Sequence, residues 1–150
     1  MIGACRPDLI LIRGLPGAGK TTLAGRLAPG RIVSADDWFC RDGTYRFVPA
    51  QIALAHTDCQ RRCESALAAG LSVAVANTFA QGWEVAPYEA IAMRTGAALA
   101  IISLFDAGMT DEALAARCVH GVPIAAIRAM RARWEHDWQA HDPRPPWERR

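Results

Sequence analysis

The stretch of sequence that decides the fold runs from residue 8 to residue 22 and reads DLILIRGLPGAGKTT. Its first part, Asp8 to Arg13, is a short apolar and β-branched run that predicts a strand. A glycine-rich loop follows, and Leu23 to Ala28 then predict a helix that ends at Pro29 and Gly30. Strand, loop and helix in this order indicate the start of a βαβ unit with a parallel sheet.

The glycine-rich loop matches a phosphate-binding pattern at every position. Residues 14–21 spell GLPGAGKT, which is G-x-x-x-x-G-K-S/T. Gly17 and Gly19 allow the backbone N–H groups to point inward around a phosphate, and the following helix start adds favourable charge. We expect Lys20 to reach the β- and γ-phosphates and the Thr21 hydroxyl to bind Mg²⁺. The expected nucleotide-binding residues are Gly14, Pro16, Gly17, Ala18, Gly19, Lys20, Thr21 and Thr22.

Lys20 is the only lysine of the chain, because the other 16 of its 17 basic residues are arginines. A binding site shaped for the compact ammonium group of lysine does not accept the planar guanidinium group of arginine, which explains why this one basic position is not an arginine. The N-K-x-D motif of GTPases requires a second lysine, so the sequence disfavours a GTPase. We therefore expect a nucleoside triphosphate, ATP before GTP, together with Mg²⁺.

The remaining sequence alternates between strand and helix patterns. Strands are predicted at 31–34, 71–76 and 98–105, and helices at 49–70, 83–94, 110–117 and 123–134, with an ordered loop at 38–48. The strands are almost entirely apolar, as in a parallel sheet that is covered on both faces. The predicted fold class is α/β, a P-loop NTPase three-layer sandwich with a short parallel sheet of about four strands. We expect one domain at residues 1–139 and a proline-rich tail at 140–150.

Composition narrows the function classes. The net charge of +2 is too small to indicate nucleic-acid binding by itself. No apolar run approaches the roughly 20 residues of a membrane-spanning helix, and no secretory leader is recognisable, so we expect no membrane partner and a cytoplasmic protein. The five cysteines are expected to be thiols. His56, Cys59 and Cys63 share one helix face but lack a fourth ligand, so no structural zinc is expected.

Several segments together resemble a known family. They are GLPGAGKTTLA, VSADDWF, YRFVPA, the AH-x-x-C-x-x-R-C helix, VAVANTF and RC-x-HGVPIAAIRAM. They look like the P-loop kinase domain of the polynucleotide 5′-hydroxyl-kinase-like family, with its AAA-type, zeta-toxin and phage polynucleotide kinase relatives. The resemblance covers roughly residues 9–135. It implies ATP-dependent phosphoryl transfer to a hydroxyl, most simply the 5′ end of a single-stranded nucleic acid.

The resemblance also implies roles for two further residues beside Lys20. Asp36 takes the position of the acid that accepts the proton of the attacking hydroxyl, and a carboxylate at the end of a strand next to the phosphate loop suits that role. Asp37 is the alternative, and either acid is also a common cap of a turn. Arg117 takes the position of an arginine in a helical lid over the ATP phosphates, although it also suits a helix C-terminus. His120 belongs to the same lid.

The end of the third strand departs from the family pattern, as does the lid, where Cys118 follows Arg117 in place of the common Asn. The third strand of the resembled family ends in Asp-Asn-Thr-Asn, where the Asp helps to hold hydrated Mg²⁺, whereas residues 76–79 read Ala-Asn-Thr-Phe. Either Asp36, Asp37 or Asp106 replaces that carboxylate, or Thr21 and phosphate oxygens hold the ion alone. Two alternative functions therefore stay open: a small-molecule kinase on the same frame, and an ATP-binding module with little or no catalysis.

Arginines and aromatic residues cluster on the expected acceptor side of the site. The arginines are 41, 46, 61 and 62, and the aromatic residues are Trp38, Phe39, Tyr45 and Phe47. Cations and rings of this kind can stack a terminal base and hold the phosphates of a single strand. The alternative is that the rings pack into the core.

Overall fold

The computed structural model describes residues 5–27, 30–136 and 144–148. The strands in chain order are β1 (Asp8–Gly14), β2 (Arg31–Val33), β3 (Cys40–Arg41), β4 (Thr44–Tyr45), β5 (Val73–Asn77) and β6 (Ala98–Phe105). The α-helices are α1 (Lys20–Leu27), α2 (Ile52–Ala68), α3 (Ala86–Thr95), α4 (Asp111–Arg117) and α5 (Ile124–Arg133). Four strands form one parallel sheet in the order β2-β5-β1-β6. The predicted α/β class with a short parallel sheet is confirmed.

The two central strands, β1 and β5, carry the core on both faces of the sheet. Leu9 and Leu11 of β1 face a large cluster formed with α2 and α3, whereas Ile12 packs with Ala24 of α1 and Ala74 of β5. Successive strand residues point to opposite faces, so the apolar run fills a helix layer on each side. This arrangement places the carboxyl ends of β1, β2 and β5 on the same side of the sheet, outside the ends of the strands, where ligands of open α/β folds bind.

Strand β6 departs from the prediction of a strand buried on both faces. It lies at the edge of the described sheet and pairs with β1, and Leu99 and Ile101 are 36% and 38% exposed. An uninterrupted apolar run reflects β-propensity as well as burial, so it does not distinguish a central strand from an edge strand. The prediction of the strand was right and the prediction of its burial was wrong.

The segment predicted as a loop at 38–48 contains regular structure. A 3₁₀-helix, Ala35–Phe39, leads into an antiparallel hairpin of β3 and β4. Asp42 and Gly43 form its turn with φ angles of +56° and +74°, as a tight hairpin turn with two left-handed residues requires. The Asp-Gly pair was the sequence signal for this hairpin.

Helix α1 begins at Lys20, three residues earlier than predicted, so the last residues of the glycine-rich pattern form its first turn. The predicted end of this helix, Ala28 and Pro29, lies outside the described residues. The early start matters for the site, because the unpaired N–H groups of the first turn then face the loop.

Arg13 is a buried arginine that ties the segment after α5 to the end of β1. Its guanidinium donates hydrogen bonds to the carbonyls of Phe79 (3.0 Å), Ala80 (3.3 Å) and Glu135 (2.8 Å). It also lies 4.0 Å from the ring centroid of Trp134. Burial lowers the pKa of Arg13 to about 10, which leaves it charged at neutral pH. The residue just before the phosphate loop therefore anchors the end of the last helix.

The predicted tail is partly described. Residues 140–143 and 149–150 lie outside the described residues, whereas Pro146–Glu148 forms a short 3₁₀ turn. The Trp147 ring packs edge-on against Trp83, with centroids 5.0 Å apart. In the described part of the chain, no helix combines the length and the apolar character that crossing a bilayer demands.

Candidate active site

The phosphate loop between β1 and α1 is held by the two strands that flank β1. The Gly14 N–H donates to the Thr78 carbonyl at 3.1 Å, and the Leu15 N–H donates to the Phe105 carbonyl at 2.8 Å. Gly17 and Gly19 adopt φ angles of +84° and +97°, a region that other residues rarely enter. The sheet therefore holds the loop in a fixed position, and the two glycines allow its curvature.

Lys20 opens α1 and folds its side chain back over the loop. Its ammonium group donates to the carbonyls of Gly14 (2.8 Å) and Leu15 (3.1 Å). Burial lowers the pKa of Lys20 to about 8, against the opposing effect of the negative charge of Asp36. A buried ammonium group with carbonyl partners is well suited to receive a phosphate, since the anion supplies the charge that the carbonyls lack.

Helix α4 packs directly on the phosphate loop. A Cβ at Gly17 would collide with the backbone carbonyl of Leu114, and Leu114 shares a buried cluster with Ala18. Arg117 lies three residues further along α4, on the face that Leu114 occupies, and is exposed. The helix predicted as part of a lid therefore contacts the loop, and Arg117 is its last residue.

Asp36 lies where the 3₁₀-helix, the hairpin and the turn after α4 meet. The Tyr45 hydroxyl donates to Asp36 Oδ1 at 3.4 Å, and His120 Nε2 lies 3.8 Å from Asp36 Oδ2. Its side chain is 50% exposed, and its charge influences the pKa of the Lys20 ammonium group. The structure thus brings Asp36, Tyr45 and His120 together, and the charge of Asp36 acts on the Lys20 ammonium group.

Asp37 and Asp106, the other two acids considered for the metal, have structural partners. Asp37 Oδ2 accepts from the Ser34 N–H at 2.9 Å as part of a capping box and pairs with Arg62 at 2.9 Å. Asp106 pairs with Arg131 at 2.6 Å. The capping interpretation therefore applies to Asp37, whereas the carboxylate of Asp36 contacts Tyr45 and His120.

Ala76 lies near the carboxyl end of β5, on the side of α1. Ala74, two residues earlier on the same face, packs against Ala24 of α1, so Ala76 points toward the start of that helix. The neighbouring Asn77 points to the other face, where its Oδ1 accepts from the Ala35 N–H at 2.9 Å. A carboxylate at position 76 would point toward the first turn of α1, and this chain has a methyl group there.

The residues of the loop and of the first turn of α1 fit a nucleotide, and one of them, Thr21, can bind Mg²⁺. The inward loop, the buried Lys20 ammonium group and the first turn of α1 match a triphosphate. Thr21 is exposed in that first turn and offers a hydroxyl oxygen, which Mg²⁺ accepts together with phosphate and water oxygens. Cys59 and Cys63 are buried in the core, and the described residues contain no group of three His, Cys, Asp or Glu that could hold a metal.

The arginine and aromatic cluster expected on the acceptor side separates into two sets. Phe39 is buried in the core, and Arg61 and Arg62 pair with Asp58. The other set lines a groove of about 300 Å³ on the outer side of the hairpin. The groove is lined by Trp38, Phe39, Arg41, Asp42, Thr44, Arg46, Val48 and Gln51, so Phe39 of the core also borders it and Asp42 adds one carboxylate beside the two arginines.

Two contacts of this site were not predicted from the sequence. The stacking of His120 on Tyr45 joins two segments 75 residues apart, and no local pattern indicates it. The fit of Gly17 against Leu114 is likewise a long-range contact. The sequence shows that the loop contains a glycine and that the lid contains a histidine. It does not show which residues these two contact.

Comparison with known proteins assigns the chain to a family. A family model described as an AAA domain matches residues 9–136, so the chain belongs to that family. Human NEDD4-binding protein 2 is 38% identical over 91 residues, which cover 57% of this chain. The match spans 5% of the length of that much longer protein.

Solved structures share the fold. A chain of the Pnkp1/Rnl/Hen1 RNA repair complex superposes with a TM-score of 0.67 and 18% identity, covering 91% of this chain and 47% of that one. A putative kinase from Chloroflexus aurantiacus gives 0.61 and 22%, covering 85% and 80%. A gluconokinase from Sinorhizobium meliloti gives 0.54 and 16%, covering 93% and 78%. At these identities the comparison establishes the fold, which is that of P-loop kinases.

Proposed function

We propose that this chain is an ATP-dependent kinase that transfers the γ-phosphate to a hydroxyl, and that its acceptor is the 5′ end of a single-stranded polynucleotide. The observation that carries the proposal is the position of Asp36. This carboxylate is half exposed, its negative charge raises the pKa of Lys20 in the phosphate loop against the effect of burial, and His120 of the lid turn lies 3.8 Å from it. A kinase needs such a group between the phosphate and the acceptor.

The transfer itself follows from this arrangement. The loop N–H groups and Lys20 hold the β- and γ-phosphates while the acceptor hydroxyl approaches the phosphorus. Asp36 takes the proton of that hydroxyl as the new O–P bond forms and the bond to the β-phosphate oxygen breaks, releasing ADP. Arg117, carried by α4, neutralises charge on the phosphoryl group in transit. Mg²⁺, when bound through Thr21, would supply further charge neutralisation on the phosphate oxygens.

The hairpin favours a polynucleotide as acceptor. Tyr45 pairs with Cys40, and Arg41 pairs with Thr44, so the two pairs point to opposite faces of the hairpin. Tyr45 reaches Asp36, whereas Arg41 lies over the Trp38 ring at 4.6 Å in the outer groove. An acceptor longer than one nucleotide can reach from Asp36 to this groove, where a ring and two arginines suit single-stranded nucleic acid.

A second candidate function is an ATP-binding module with slow turnover, and Ala76 is the observation that favours it. Binding relies on the loop, Lys20 and the helix start, all of which are intact. Chemistry relies additionally on Mg²⁺, for which the carboxylate that would point toward the first turn of α1 is missing. Binding without efficient transfer is therefore a coherent outcome for this chain.

The experiment that separates these functions is transfer of labelled phosphate from ATP to a 5′-hydroxyl oligonucleotide. Labelled oligonucleotide supports the proposal, and its loss in Asp36→Asn ties the reaction to this site. ATP consumption that needs a small hydroxyl compound and gives no oligonucleotide product supports a small-molecule kinase. Saturable ATP binding without turnover supports the module.

A second measurement tests the acceptor surface. The double variant Arg41→Ala/Arg46→Ala should weaken oligonucleotide binding and flatten its dependence on salt, because two phosphate-neutralising cations are lost. Arg94→Ala is the matched control, since Arg94 is an exposed arginine of α3 that pairs with Glu64. Unchanged affinity and salt dependence in the double variant would show that the outer groove does not bind the oligonucleotide.

A further inference from the structure

Two aromatic rings from distant segments stack beside the proposed catalytic carboxylate. The imidazole of His120 lies on the phenol ring of Tyr45, with centroids 4.1 Å apart and planes inclined by 23°. Tyr45 belongs to the hairpin and His120 to the turn between α4 and α5. Both side chains reach Asp36, one at each carboxylate oxygen.

The Tyr45 ring is the fixed member of the pair. Its hydroxyl donates to Asp36, and Phe39 of the core contacts it edge-on, with planes inclined by 74°. Burial and the charge of Asp36 raise the pKa of Tyr45 to about 12, so the hydroxyl stays a hydrogen-bond donor. Tyr45 therefore presents a preformed aromatic surface next to Asp36.

The His120 ring is the exchangeable member. It sits on a short turn in which Gly121 has a φ of +64° and Val119 is 90% exposed. Its distance of 3.8 Å to Asp36 exceeds that of a hydrogen bond. The described contacts thus hold this imidazole by ring stacking on Tyr45 and by a 3.8 Å approach to Asp36, and another ring can replace the stacking.

We propose that the face of Tyr45 covered by His120 is the stacking position for the terminal base of the acceptor. His120 covers this face of Tyr45 in the structure and leaves it when the base enters. A base stacked there has its sugar beside Asp36, which brings the 5′-hydroxyl to the carboxylate. This inference rests on the proposed function, and it assigns the acceptor as a molecule that carries a base next to its reactive hydroxyl.

The test compares two 5′-hydroxyl oligonucleotides of the same sequence, one with a natural terminal base and one whose terminal residue is abasic. Their dissociation constants are measured by fluorescence anisotropy in the presence of Mg²⁺ and a non-hydrolysable ATP analogue. The wild type should prefer the base-bearing oligonucleotide by about tenfold or more, which is the effect of one stacked base. The ratio of the two constants is the readout, because a purely structural defect weakens both equally.

Variants show which side chain causes the preference for the base-bearing oligonucleotide. Tyr45→Phe should keep it, because the phenyl ring still stacks, and Tyr45→Leu should abolish it. Trp38→Leu, in the outer groove, is the control that should weaken both oligonucleotides by the same factor. His120→Ala should tighten the base-bearing oligonucleotide several-fold and leave the abasic one unchanged, because only the base competes with the imidazole.

The outcomes distinguish this inference from the function on which it rests. If wild type binds both oligonucleotides equally, or if Tyr45→Leu keeps the preference, the stacking position is wrong and a polynucleotide acceptor stands. Weaker binding of the base-bearing oligonucleotide by His120→Ala would contradict the proposal that the base replaces the His120 ring on Tyr45. If neither oligonucleotide binds while the ATP analogue does, the polynucleotide acceptor and the stacking position fall together.

Discussion

The backbone carbonyl of Leu114 occupies the space that a Cβ on Gly17 would need, so the phosphate loop and helix α4 meet where only glycine fits. Gly17 also adopts a φ of +84°. Two independent requirements therefore select glycine at this position: the curvature of the loop and the close approach of the lid helix. The loop and the helix that carries Arg117 are one packed unit in this structure.

Replacing Gly17 with alanine should damage ATP binding more than it damages the fold. The left-handed backbone costs about 1 kcal/mol, and the collision adds displacement of α4. Gly70→Ala is the matched control, since Gly70 has a φ of +85° with nothing within 4 Å of the added Cβ. Urea unfolding should show a larger loss for Gly17→Ala, and calorimetry at least tenfold weaker ATP binding in that variant alone. Equal effects of both variants would disprove the steric role of Leu114.

Ala76→Asp should raise the rate of phosphoryl transfer. The new carboxylate faces the start of α1, where it can hold water on Mg²⁺ near Thr21, and groups in such positions typically change activity about 10- to 100-fold. Ala76→Asn has the same shape without the charge and should give no increase. Initial rates at several Mg²⁺ concentrations provide the measurement. If the Asp and Asn variants turn over alike, the missing carboxylate does not limit catalysis.

Arg13→Met should destabilise the fold by about 3 kcal/mol, because two buried carbonyls and one partly buried carbonyl lose their donor and Trp134 loses its stacked cation. Arg128→Met is the control, since Arg128 is 57% exposed and pairs with Glu112 at the surface. The difference in urea midpoints measures the effect. A loss below about 1 kcal/mol, equal to that of the control, would show that the segment after α5 does not depend on Arg13.

Asp106 and Arg131 give a pH-dependent contribution to stability. The hydrogen bond from Arg131 is the main cause that holds the pKa of Asp106 below its usual value. The stabilisation is present above the pKa of an unfolded Asp, near 4, and is lost as the pH falls through the folded value. The stability difference between wild type and Asp106→Asn should therefore stay constant from pH 7 to 5 and shrink toward pH 3. A constant difference down to pH 3 would exclude this linkage.

The sequence allowed much of the fold to be predicted, because the relevant signals are local. The pattern at residues 14–21 fixed the strand-loop-helix unit, and glycine and proline positions marked most other boundaries. The exposure of β6 and the hairpin at 40–45 were missed. The exposure of β6 depends on the order of the strands in the sheet, which no local pattern encodes. The hairpin had a local signal, the Asp-Gly pair of its turn, which the prediction of a loop did not use.

The candidate site was predictable in its parts and not in its contacts. Lys20 and Asp36 follow from motif and resemblance, and the structure places both at the same edge of the sheet. The choice between Asp36 and Asp37 needed the capping geometry of Ser34, which a sequence of two adjacent acids leaves open. Arg13 was visible as a lone charge in an apolar strand, but its partners lie more than 60 residues away.

The central claim is that the glycine loop and Lys20 together bind a nucleoside triphosphate. Calorimetric titration of the purified chain with ATP and Mg²⁺ tests it most directly, with Arg26→Ala of the same helix as control for Lys20→Ala. We expect saturable binding of one ATP per chain, unchanged in Arg26→Ala and weakened at least tenfold in Lys20→Ala. Failure of the wild type to bind ATP or GTP, or equal binding by Lys20→Ala, would contradict it.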